Sequence, residues 1–120
     1  MLQKATTLLR HERRDDHVVV IAEQNIDVSN SLLFYQEIRH SLSPIYKKIV
    51  IDISRCRKQD LSTLATLLLV ASDLSHKKGF FVGVVGVDDV FKRQLEAKKY
   101  RVIKFFTSIS AANKHLRREK

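Results

Sequence analysis

Cysteine is almost missing from these 120 residues: Cys56 stands alone. A single cysteine excludes an internal disulfide and a cysteine-ligated zinc cluster. Arg55 and Arg57 beside it are cations of the kind that favour a thiolate, but a small side chain at a strand end is the simpler role. Proline is also single, Pro44, and there is no tryptophan. The glycines Gly79, Gly83 and Gly86 have neither the spacing nor the lysine of a phosphate-binding loop. The Gly-x-Ser-x-Gly elbow of serine hydrolases is absent. No apolar run approaches the ~20 residues that cross a bilayer. Residues 1–16 alternate charge and polarity and lack the apolar centre of a signal peptide, so a cytoplasmic protein is expected. His11, His17, His40, His76 and His115 show no metal-ligand spacing. Asp15-Asp16 and Asp88-Asp89 are adjacent carboxylates suited to a turn and a helix cap rather than to acid–base work. No enzyme, cofactor or metal is expected.

What the chain has in excess is positive charge, a net +9. Such a balance favours acidic partners: nucleic acid, an anionic membrane face or an acidic protein. The cations fall in separate groups, near residues 10–14, 55–58, 98–101 and 114–120. Scattered charge kept for solubility explains that spread, and the interleaved aromatics of single-strand nucleic-acid binders are missing. Nucleic acid is therefore the last-ranked partner.

Two strands are read at 5–10 and 17–23, joined by the charged turn Arg13-Arg14-Asp15-Asp16. The unbroken apolar run 18–22 predicts a central strand covered on both faces. Ser29 or Asn30 predicts the cap of a helix to about Leu42, with Phe34, Tyr35, Ile38 and Leu42 inward and Pro44 as its stop. Another inner strand covers 48–54. A buried helix follows from about Leu61 and closes at Lys77-Lys78-Gly79. Residues 80–86 read as a strand in which Gly83 admits a close helix. Asp88 or Asp89 caps a short helix with Val90, Phe91 and Leu95 inward, and 102–106 is a last strand. Thr107 or Ser108 caps a final helix with Ile109, Ala112 and Leu116 on one side. Alternating strands and helices after an opening hairpin predict an α/β fold, helices packed on a mixed sheet.

The chain is organised around 58–71. Asp60 or Ser62 stands where a helix start needs acceptors for its free N–H groups, and from Leu64 to Ala71 nearly every position is apolar. A polar first turn on a buried body is a site on a rigid support.

Residues 18–27, the strand at 48–54, Asp60-Leu61-Ser62-Thr63-Leu64, and 79–86 followed by Asp88 together resemble a STAS domain, the family of bacterial anti-sigma factor antagonists. The likeness spans about 5–116. It implies one STAS-like domain over 1–120 with a basic tail at 117–120: about five strands in a mixed sheet and about four helices, mainly on one face. It also implies a non-enzymatic regulator that binds a protein partner, a kinase-like anti-sigma factor, and is switched by phosphorylation. The family's switch motif is Asp-Ser-Ser-Gly-Leu at the start of the second helix. Asp60 matches its aspartate, Ser62 the phosphate-accepting serine and Leu64 its leucine; Leu61 replaces a hydroxyl residue and Thr63 replaces glycine. Asp27 matches an aspartate lining the same surface, with Gln24 where a glycine often precedes it. The implied contact residues are Asp27, Asp60, Leu61, Ser62 and Thr63. Phosphate at Ser62 is expected to repel an acidic partner groove. The alternative partner set is a lipid-transporting ABC permease, whose small cytosolic subunits are also STAS domains. The oligomeric state is not legible.

Overall fold

Val18, Val19, Val20, Ile21 and Ala22 leave a strand no face for water, and all five are buried. They form β2 (Val18–Ala22). The computed structural model describes residues 9–42, 46–97 and 103–118. β1 (Leu9–Arg13) pairs antiparallel with β2, turning back where Arg14 N donates to His17 O at 2.8 Å. Next to β2 come β3 (Lys48–Asp52), β4 (Phe81–Val85) and β5 (Ile103–Phe106), each parallel to its neighbour, in the order β1-β2-β3-β4-β5.

Four helices connect and complete this sheet: α1 (Ser31–Leu42), α2 (Leu61–Leu74), α3 (Asp89–Ala97) and α4 (Ile109–Arg118). Strand alternation sorts the apolar side chains into two cores. Val18, Val20, Ile49, Ile51, Val82 and Val84 meet Phe34 and Ile38 of α1, Leu67, Val70 and Leu74 of α2, and Phe91 of α3. Val19, Ile21, Val50, Phe81 and Val85 meet Ala112 and Leu116 of α4. Three helices therefore cover one face and one covers the other, which is the mixed sheet with helices mainly on one face that was expected. No helix among the described residues is long and apolar enough to cross a membrane.

The differences lie at element ends. β1 is described from Leu9 to Arg13 rather than 5–10; it is an edge strand, so Arg10 to Arg13 can carry charge into solvent. Residues 5–8, Pro44, the cluster 98–101, Val102 and residues 119–120 lie outside the described residues. α2 stops at Leu74, one turn before Lys77, because the Ser75 N–H closes on Ala71 O and Ser72 O. Tyr35 is only half buried: its hydroxyl donates to Asp73 across α1 and α2, a bond that raises the phenol's pKa. Val90 points outward at 66% exposure, since capping by Asp88 phases α3 so that Phe91 faces the core. The Leu95 side chain lies outside the described residues. Gly83 lies on the face that α4 covers, and a Cβ there would stand 2.8 Å from the Phe81 ring and 3.1 Å from that of Phe106. The missing side chain makes room for an aromatic layer in which His115 stacks on Phe81 at 5.6 Å.

Candidate functional site

Asp60 is the N-cap of α2. Its backbone is extended, with φ −125° and ψ −164°, which frees its carboxylate to fold back over the first turn. Oδ1 accepts from Ser62 N at 3.0 Å and from Thr63 N at 3.4 Å, while Thr63 Oγ1 accepts from Asp60 N at 3.3 Å. The result is a reciprocal capping box, built with threonine in the place usually held by glutamate or glutamine.

Thr63 has a second task. Its hydroxyl donates to Ile26 O at 3.2 Å, joining the start of α2 to the loop that carries Asp27. The side chain is 0% exposed. Thr63 is thus removed from the expected contact surface, and its place is beneath that surface as a brace. A second link, Lys58 N to Asn25 Oδ1 at 3.3 Å, ties the same two segments.

Asp27 is exposed beside this brace. Its Oδ1 accepts from Ser29 Oγ at 2.6 Å, Ser29 N at 2.9 Å and Asn30 N at 3.2 Å. The Ser29 hydroxyl, above all, holds its carboxyl below the usual range and keeps it ionised. Asn30 closes the loop by accepting from Asp27 N and donating to Asn25 O. The loop is therefore shaped by its own polar side chains.

Ser62 lies half-buried on the first turn of α2. Its carbonyl accepts from Thr66 Oγ1 at 2.9 Å, while its own hydroxyl has no hydrogen-bond partner among the described residues. Leu61 before it is 75% exposed and Val28 after Asp27 is 87% exposed. Ser62, Thr66, Leu69 and Asp73 share a stripe of α2, and Leu32, Tyr35 and Arg39 share one of α1. Arg39 Nε pairs with Asp73 Oδ2 at 3.4 Å and Tyr35 also reaches Asp73, so the two stripes meet. Leu32 and Leu69 lie one turn nearer the helix starts on those stripes, and both are exposed.

Gln59 has no signature that would single it out in the sequence. Its Nε2 donates to Gly86 O at 2.9 Å and its Oε1 accepts from Asp88 N at 3.0 Å, fastening the start of α3 to that of α2. Only in three dimensions does a polar loop residue become such a tie.

Cys56 is buried and donates to Gln24 O at 3.3 Å. Burial pushes its thiol up to about 11, the opposite of what its arginine neighbours suggest. Arg55 is occupied elsewhere: Glu23 is held between it, at 2.7 Å, and Arg10, at 2.8 Å. A cavity of about 480 Å³ lies away from Ser62, between the hairpin turn and α4, lined by Asp16, His17, Asn113 and Leu116 among others. There His17 bridges Asp16 Oδ1 and Asn113 Oδ1, both at 2.9 Å, so its polar groups serve to dock α4 on the hairpin.

A run of parallel strands whose helices all start at one sheet edge, with a capped and polar α2 start beside an aspartate loop, defines a class: the STAS fold of the anti-sigma factor antagonists. No family model and no curated protein matches the chain. Solved structures do. A candidate anti-sigma factor antagonist from Thermotoga maritima is 22% identical, with a TM-score of 0.78 over 91% of this chain and 94% of that one. A serine-to-glutamate variant of RsbS from Moorella thermoacetica is 22% identical, with a TM-score of 0.71 over 93% of this chain and 99% of that one. The anti-sigma factor antagonist SpoIIAA in its unphosphorylated form is 13% identical, with a TM-score of 0.68 over 88% and 94%. At these identities the likeness is one of fold.

Proposed function

We propose that this chain is a non-enzymatic protein-binding module of the anti-sigma antagonist type. It docks a kinase-like anti-sigma factor through Asp27, Asp60, Leu61 and Ser62, and phosphorylation of Ser62 releases that partner. The observation that carries the reading is the Ser62 hydroxyl: unbonded within the described residues, on a rigidly capped helix turn, next to exposed aliphatic side chains. The fold it shares with anti-sigma factor antagonists supports the partner class.

The physics of the switch differs from simple repulsion by an acidic groove. A phosphate at Ser62 adds about −1.5 to −2 charges. Its own helix tolerates that charge, because free N–H groups and the dipole favour anions at an N-terminus. The cost falls on docking. With Leu61 exposed beside it, and Val28 and Leu32 at the neighbouring helix start, a partner that covers this surface must strip water from a dianion against apolar groups. Calorimetric titration of Ser62→Ala and Ser62→Asp with an anti-sigma factor of the serine-kinase type tests this. The expected gap is at least about tenfold in Kd, or ~1.4 kcal/mol, with the aspartate weaker. Equal affinities overturn the switch.

A further inference from the structure

Three hydrogen bonds tie the segment before α1 to the segment that leads into α2. Cys56 Sγ donates to Gln24 O at 3.3 Å, Lys58 N to Asn25 Oδ1 at 3.3 Å and Thr63 Oγ1 to Ile26 O at 3.2 Å. Among these, the Thr63 bond alone comes from the turn that carries Ser62. Thr63 and Ile26 are both fully buried, so solvent does not stand in for that bond when it is lost. Beyond Ile26 the loop is a single unit. Asp27 Oδ1 accepts from Ser29 and Asn30, and Asn30 Oδ1 accepts from Asp27 N in return. A displacement of Ile26 is therefore carried on to Asp27 and to the exposed Val28.

We propose that Thr63 is the positioning residue that passes the state of Ser62 to the Asp27 loop, so that phosphorylation changes both halves of the docking surface together. This rests on the reading of Ser62 as the switch residue and gives that switch a route. Thr63 Oγ1 accepts from Asp60 N at 3.3 Å while it donates to Ile26 O. The accepted bond fixes the hydroxyl, which has one proton to give and gives it to Ile26 O. Asp60 N is in place only while the Asp60 carboxylate stays folded over the first turn. There it holds Ser62 N at 3.0 Å and Thr63 N at 3.4 Å, and the longer bond is the one that yields first. A phosphate on Ser62 is a stronger acceptor for the same N–H groups, and its charge repels a carboxylate two residues away. The cap changes hands. The helix keeps an anion at its start, while Asp60 swings off and takes its N–H from Thr63 Oγ1. The buried hydroxyl is then free to turn, and Ile26 O loses its fixed donor. A side chain without a hydroxyl at position 63 has no such route.

The test reads amide shifts of the isotope-labelled full chain with no partner present. Ser62→Asp places an anion at the switch position in three backgrounds: wild type, Thr63→Ser, which keeps the hydroxyl, and Thr63→Val, which keeps the shape and loses it. In the first two, Ser62→Asp is expected to shift the amides of Asp27, Val28, Ser29 and Asn30. In Thr63→Val those shifts are expected to be lost, while those in the first turn of α2 remain. Thr63→Ala, whose smaller side chain cannot overpack the site, takes the place of Thr63→Val should that variant not fold. A Thr63 that only supports the fold would lower the stability of the hydroxyl-free variants and leave their response to Ser62→Asp intact, and that result overturns the proposal. Loop shifts that persist there act through space, not through the hydroxyl. A wild-type loop that does not respond to Ser62→Asp overturns it as well. The Ser62 titration with an anti-sigma factor is a separate measurement. Equal affinities there end the switch without touching this coupling, and a silent loop here leaves the switch standing.

Discussion

Asp60 shows how much one side chain carries at this site. It was legible in the sequence because caps have a local chemistry: an acceptor just before an apolar helix. The structure adds that it works with Thr63, which occupies the place of a glycine in the related switch motif and was expected at the surface. Burial of Thr63 could not be read locally, because it depends on Ile26 arriving from a different segment. Asp60→Ala removes the acceptor for two N–H groups and is expected to lower stability by ~1 kcal/mol, with Asp60→Asn close to wild type; urea midpoints measure both. Cys56 makes the complementary point. Its sequence neighbours suggest a thiolate, but its spatial neighbours are apolar, and desolvation wins. The sign follows from linkage. The neutral thiol is favoured in the fold, so its contribution is fully present below the ordinary value of 9.0 and is lost as pH rises from there through about 11. Stability measured between these limits is expected to fall more steeply in the wild type than in Cys56→Ala, in which the other titrating groups are retained.

At the scale of elements, strands and helices were legible wherever apolar periodicity runs long. β2, β3 and β4 bury every position or nearly so, and each was placed to within two residues of its ends. Ends were harder because backbone hydrogen bonding decides them: Ser75 closes α2 before the lysines can. The rings beside Gly83 were not legible for a similar reason. The rings that need its space, Phe81 and Phe106, lie in its own and the adjacent strand, and a sequence does not state which rings lie flat over a sheet. α4 is the element whose burden is clearest. It alone among the described helices covers the second face, placing Ala112 and Leu116 on Val19, Val50 and Phe81. Leu116→Ala is therefore expected to cost about 2–5 kcal/mol, whereas Lys114→Ala, on the exposed side of the same helix, should stay within about 0.5 kcal/mol of wild type. Guanidinium unfolding of the two variants separates packing from helix content.

For the whole molecule, the question left by the sequence was whether a net charge of +9 forms a single binding face. The fold divides the cations between the two ends of the sheet. Arg57 and Lys58 precede α2, while Lys77 and Lys78 follow its 14 residues. At ~1.5 Å per residue those two groups stand roughly 20 Å apart along the helix, more than twice the ~8 Å over which charges act on one another at physiological salt. Arg14, Lys48 and Lys77 meet at the end away from the helix starts: the Tyr46 hydroxyl donates to Arg14 O at 3.2 Å, Lys77 Nζ donates to Tyr46 O at 3.4 Å, and Lys48 pairs with Asp16 at 3.6 Å. Arg14, Arg10 and Arg55 are further committed to Glu12 and Glu23. Among the described residues only the group around Tyr46 is gathered, and Asp15 and Asp16 in the hairpin turn offset part of it, so few counterions are displaced at once. Retention on heparin is accordingly expected at about 50 mM salt and lost by about 200 mM, the range over which even several phosphate contacts weaken steeply. Persistence of binding well above that range would mean that the group around Tyr46 acts as one anion-binding surface, and nucleic acid would then displace a protein as the preferred partner.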